Sequence, residues 1–213
     1  METDDLIRNL AQDLRPVAAR ALERRLAAGV AAGVIGALLA LFLWLGLGPD
    51  MAAAVTSFPF WMKLGYTTSL AAISIGIAWR LAHPESRPDR WYLLLLLPLA
   101  VMAGLAAYEI AASEASKWRS LLMGMSAAKC SPRILLISAP VFAGMIWSYR
   151  RFAPTRLRLA GAAAGLAAGA IGAAAYALYC REVAASFVLV WYTLGIALTS
   201  LAGAILGPRL LRW

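Results

Sequence analysis

Hydrophobic positions fill this chain in long blocks, and polar positions gather in the short stretches between them. A bilayer's hydrocarbon core is roughly 30 Å thick, so a spanning helix needs about 20 apolar residues. Blocks at 26–47, 58–81, 91–112, 134–149, 159–179 and 183–207 meet or approach that length. None shows the alternation of period two that a membrane β-barrel strand requires. The pattern predicts an all-α, polytopic integral membrane protein with six transmembrane helices. The first block is uncharged from Leu26 to Pro49, too long for an ordinary signal peptide, and further blocks follow. It is therefore expected to persist as a span. Pro98 and Pro140 interrupt the third and fourth blocks and are expected to kink them.

A different pattern precedes the first block. In "METDDLIRNLAQDLRPV", Leu6, Ile7, Leu10, Leu14 and Val17 recur at helical spacing and share one face. Thr3 is a plausible N-cap, with Asp4 and Asp5 at the positive end of the helix dipole, and Pro16 breaks the pattern. The chain thus divides into an amphipathic helix, 1–17, and a membrane domain, 18–213. Four of the 11 acids (Glu2, Asp4, Asp5, Asp13) lie in this helix, against Arg8 and Arg15. An anionic cytoplasmic leaflet repels a net negative helix, and membrane-lying helices are usually basic. A groove rimmed with Lys or Arg on a protein partner suits it better, although the lipid surface is an alternative.

Composition agrees with the membrane reading: 62% of the 213 residues are hydrophobic, 15% are charged, and mean hydropathy is +0.72. The net charge of +9 is informative through its placement. The N-terminal segment (Arg8, Arg15, Arg20, Arg24, Arg25), the second loop (Arg80, Arg87, Arg90), the fourth (Arg150, Arg151, Arg156, Arg158) and the C-terminus (Arg209, Arg212) share one side. Only Lys63, Lys117, Arg119, Lys129, Arg133 and Arg181 fall on the other. Positive charge is retained in the cytoplasm, so both termini are expected there. Charge spread along membrane edges is not the single basic patch of a nucleic-acid binder.

Catalytic and transport signals are sparse. Glu109, beside Tyr108 near the outer end of the third span, is the one acid inside a span and reads as an interfacial group more than a relay carboxylate. His83 sits in the polar turn "HPESRPDR" and reads as solvated. No phosphate loop or histidine–carboxylate constellation is present, so no enzymatic activity is expected. Gly161, Gly165 and Gly169 in the fifth span, and Gly29 and Gly33 in the first, form smooth faces for close helix approach.

Cys130 and Cys180 are the only cysteines, and the expected topology carries both to the outer face. That compartment favours a structural disulfide. Lys129 and Arg181 adjoin them, and neighbouring cations enrich the thiolate, which favours a reactive sensing pair. Paired thiolates are also soft ligands, so a heavy metal at Cys130 and Cys180 is the one cofactor considered. The absence of C-x-x-C counts against a disulfide-generating enzyme. Ahead of Cys130, Trp118, Leu121, Leu122 and Met125 fall at helical spacing, as in a short helix at the membrane interface.

"TDDLIRNLAQDLRPV", "CSPRILLISAP" and "YCREVAASFVLVWYTLGIALTSLAGAILGPRLLRW", with six spans in this layout, resemble the NrsF-type membrane anti-sigma factors of Gram-negative bacteria. The resemblance covers essentially the whole chain. It implies a regulator that holds an extracytoplasmic-function sigma factor at the inner membrane and releases it under heavy-metal or oxidative stress. It further implies that paired cysteines, here Cys130 and Cys180, are needed for the response. The His and Pro often found around the family's second cysteine are replaced here by Tyr179 and Arg181. On this reading Leu6, Ile7, Leu10 and Leu14 would fill a groove on the sigma factor, and Asp4, Asp5 and Asp13 would meet its basic residues. A small metal or solute transporter, with its N-terminal helix lying on the membrane, is the alternative.

Overall fold

The computed structural model describes residues 20–48, 51–82, 90–151, 154 and 156–212. Asp4, Asp5, Leu6, Ile7, Leu10, Asp13 and Leu14, and His83, lie outside the described residues. Every regular element within them is helical. In chain order these are α1 (Ala21–Trp44), α2 (Met51–Ala54), α3 (Phe58–Ala82), α4 (Leu96–Ala111), α5 (Trp118–Met123), α6 (Ala127–Tyr149), α7 (Leu157–Ala177) and α8 (Ala185–Leu210). A 3-10 segment, Arg90–Leu95, leads into α4, and another, Ala115–Lys117, leads into α5.

Five helical segments are long and apolar enough to cross a membrane: Ala21–Trp44, Arg90–Ala111, Ala115–Tyr149, Leu157–Ala177 and Ala185–Leu210. The second expected span, α3, has the length, since its 25 residues rise roughly 37 Å. Its hydropathy is lower because Lys63, Thr67, Thr68, Ser69 and Ser74 interrupt it. Of these, Lys63, Thr67 and Ser74 are turned into the protein and buried.

α6 begins at Ala127, about two turns before the apolar block at 134. Cys130, expected in the loop ahead of this helix, instead lies in its first turn. Hydropathy marks where a helix becomes apolar, whereas helical hydrogen bonding begins earlier, with Cys130 N–H donating to the Ser126 carbonyl at 2.9 Å. The short helix expected before Cys130 forms as α5, with Leu121 packed on the core. It stops at Gly124, whose φ of 49° turns the chain, so Met125 falls beyond the helix.

α7 is the centre of the bundle, packed against α8, α3, α6 and, at its edge, α1. Its alanines and glycines make this possible, because small side chains let backbones approach closely. Gly161 lies against Gly203 and Gly207, Gly165 against Thr199 and Ser200, and Gly169 against Ile196, all on α8. Gly29 and Gly33 of α1 face Gly144 and Val141 of α6 in the same way. At the opposite extreme, only 17% of the most apolar stretch of Arg90–Ala111 is buried, against 72% for that of Leu157–Ala177. A cavity of about 550 Å³ separates α3 from α4, lined by Trp61, Tyr66, Met102 and Leu105 among others.

Two hydrophobic cores lie at opposite ends of the bundle. One gathers Leu26, Ala78, Met145, Tyr149, Ala160 and Leu211. There the Tyr149 hydroxyl donates to the Ala78 carbonyl at 2.6 Å, Arg25 lies over the Trp147 ring at 3.9 Å, and Arg80 lies over Trp91 at 4.0 Å. The other core contains Cys130, Tyr176, Cys180, Phe187 and Tyr192.

Candidate functional site

The two cysteines meet at one end of the bundle. Cys130 is fully buried in the first turn of α6, and Cys180, which follows the last turn of α7, is 7% exposed. Both are free thiols. They lie close enough for charge on one to act on the other, and Lys63, Tyr176 and Tyr192 share the same neighbourhood. The structural disulfide weighed from sequence is therefore not formed. The cations are also different from those adjacency suggested. Lys129 and Arg181 are exposed, while Lys63 and Arg133 face Cys130.

Helix α7 ends with Cys180 N–H donating to the Tyr176 carbonyl at 3.0 Å. The carbonyls that follow a helix's last turn need partners from elsewhere, and a cation is favourable at that negative end. Lys63 supplies both. Its side chain is 3% exposed, and its Nζ donates to the carbonyls of Cys180 at 2.7 Å and Glu182 at 3.0 Å. The sequence shows Lys63 only as one more outer-side charge; a lysine five positions inside an apolar helix was the available signal.

Carboxylates secure the same loop from two directions. Glu182 accepts from the Met125 N–H at 2.8 Å and the Ser126 hydroxyl at 2.9 Å. Glu109 of α4 accepts from the N–H groups of Ala185 at 3.2 Å and Ser186 at 2.9 Å, and from the Ser186 hydroxyl at 2.8 Å. It thus caps the N-terminus of α8 from another helix, doing what a local N-cap residue ordinarily does. Glu109 is committed to this contact, and its isolation within the third span was the sequence signal.

The head of α8 adds the remaining polar groups. A π-helical turn, Val188–Tyr192, interrupts it. The Ser131 hydroxyl donates to the Trp191 carbonyl at 2.8 Å, and the Trp191 indole N–H donates to the Leu122 carbonyl at 2.8 Å. The Tyr176 ring lies between those of Tyr179 and Tyr192, 5.9 Å from each.

Among the described residues no group of three or more His, Cys, Asp and Glu is arranged to hold a metal. A structural zinc site takes four such ligands. Two buried thiols suit instead a soft ion that accepts two sulfur ligands.

A protein-family model described as "NrsF: Negative regulator of sigma F" matches residues 10–213. The chain is 37% identical over 213 residues to a protein of Azospira oryzae named "Probable anti-sigma-F factor NrsF", covering all of both chains. It is 36% identical over 214 residues to the "Anti-sigma-F factor NrsF" of Caulobacter vibrioides, again covering both completely. No solved structure matches. With the full length accounted for by these matches, the chain belongs to the NrsF family of non-enzymatic, negative regulators of sigma F.

Proposed function

We propose that this protein is a bacterial inner-membrane anti-sigma factor that sequesters an extracytoplasmic-function sigma factor through residues 1–17. The observation that carries this reading is full-length likeness to proteins named anti-sigma-F factors. Leu6, Ile7, Leu10 and Leu14 occupy a groove on the sigma factor, and Asp4, Asp5 and Asp13 meet its basic rim. α3, second of the spans in chain order, completes the six: its Lys63, Thr67 and Ser74 turn inward, away from the lipid, and a threonine such as Thr68 can bond its own helix backbone through its hydroxyl. Both termini are cytoplasmic, in keeping with the arginines gathered at the end of the bundle opposite the thiols.

The Cys130–Cys180 pair is the sensor for heavy-metal or oxidative stress, in the periplasm on this topology. The loop after Cys180 is bonded to α3 through Lys63, to the α5–α6 turn through Glu182 and, at the start of α8, to α4 through Glu109. A chemical change at Cys180 is thereby felt by several spans. A coupling of about 1–3 kcal/mol is typical of such two-site systems and suffices to shift sigma-factor affinity about tenfold.

Affinity isolation of the detergent-solubilised chain from its host tests this, with Leu6→Asp/Leu10→Asp protein in parallel. The native chain brings down a sigma factor, the double mutant does not, and a thiol reagent added to the native complex lowers the yield. No sigma factor with the native chain would reject the anti-sigma reading. A transporter would instead give solute flux in proteoliposomes and tolerate Leu10→Asp.

A further inference from the structure

Tyr192 lies in the tail motif "WYTLG" and is completely buried. Its hydroxyl nonetheless has no hydrogen-bond partner of acceptable geometry. Buried hydroxyls are nearly always paired, so an orphan in a well-packed core calls for a reason. The side chain within its reach is the Cys180 thiol, and a protonated thiol is a weak acceptor. Tyr192 also closes the π-helical turn of α8, a local departure from α geometry that recurs at functional sites. Its neighbour Trp191 ties that turn to α6 through Ser131 and to α5 through Leu122. Around the thiols, Lys63 of α3, Arg133 of α6, Tyr176 of α7 and Glu182 of the following loop supply the other charged and titratable groups.

We infer that Tyr192 is the positioning residue that reports the state of the thiol pair to α8: when Cys180 becomes a metal thiolate, the Tyr192 hydroxyl donates to its sulfur and re-seats the turn. The inference rests on the sensor reading above and adds the residue through which the change leaves the site. A metal-bound thiolate sulfur carries no proton and more negative charge than a thiol, so it is the better hydrogen-bond acceptor, and hydrogen bonds strengthen as the acceptor gains charge. With mercuric ion as the metal, two Hg–S bonds form, Cys130 and Cys180 each release one proton, and no electrons are transferred.

Full-length protein in detergent, with mercuric chloride as the probe, tests this directly. Native mass spectrometry counts bound mercury, and hydrogen exchange follows residues 185–195. One mercury is expected on the native chain, slowing exchange in that segment about tenfold through the new hydrogen bond. Tyr192→Phe is expected to bind the same mercury, show no slowing, and unfold at or above the native temperature because the hydroxyl it loses had no partner. Cys180→Ser, with Tyr192 intact, should also show no slowing. Equal slowing in the native and Tyr192→Phe proteins would overturn the role of Tyr192 while leaving the sensor in place. Failure of the native chain to bind mercury would remove the metal branch of the sensor reading and this inference together, while leaving oxidation of the pair as the signal to be tested.

Discussion

Lys63 illustrates how one side chain can organise a site it never touches chemically. Its ammonium is buried at the negative end of α7 and engages two carbonyls that no helix bond can satisfy. Removing it in Lys63→Met leaves both unpaired, at a cost of about 1–3 kcal/mol for such groups. Relief from burying the ammonium offsets part of that. A net loss of about 1–2 kcal/mol is expected, read as a lower unfolding temperature in detergent. The same variant should let a small maleimide reach Cys180 faster, because the loop carrying it loses its tether to α3. Native stability and native labelling in Lys63→Met would reject this clamp.

Among the elements, close packing separates the helices that form the frame from the one at its edge. A side chain at Gly165 would collide with the backbone of Thr199 and Ser200, which cannot move without displacing α8. Gly165→Leu is therefore expected to destabilise by about 3 kcal/mol or more, at the upper end of overpacking costs. Gly104 on α4 has nothing within 4 Å of an added Cβ. There Gly→Ala removes chain flexibility without a clash, worth about 0.5–1 kcal/mol of stability. Thermal unfolding of the two variants should move in opposite directions. Matching losses would mean that α4 packs as tightly as α7.

For the molecule as a whole, orientation follows from charge, and the site inherits its compartment from that orientation. The thiol end and the arginine-rich end are joined by α3, α6 and α7, each running from one core to the other. If the arginine-rich end is cytoplasmic, exposed Met125 faces the periplasm. Met125→Cys in a protein lacking Cys130 and Cys180 should then label with a membrane-impermeant maleimide on intact spheroplasts. Labelling only after lysis would invert the topology and place the thiols in a reducing compartment.

Sequence alone displayed the all-helical architecture, five apolar helices long enough to cross a membrane and the glycine faces that bring helices together, although it placed the start of α6 about two turns late. Hydropathy, periodicity and small-residue spacing are local properties, so a few turns of chain suffice to display them. Cys130 and Cys180 were legible as a candidate pair, but adjacency pointed to Lys129 and Arg181 as their cations. Tertiary structure alone decided that Lys63, 117 residues from Cys180, holds the loop at the thiols. It alone decided that Glu109 caps a helix starting 76 residues later. It also left the Tyr192 hydroxyl without a partner beside a thiol. Such contacts have no period and no fixed spacing; they arise where helix ends converge, and burial then forces their polar groups to find one another.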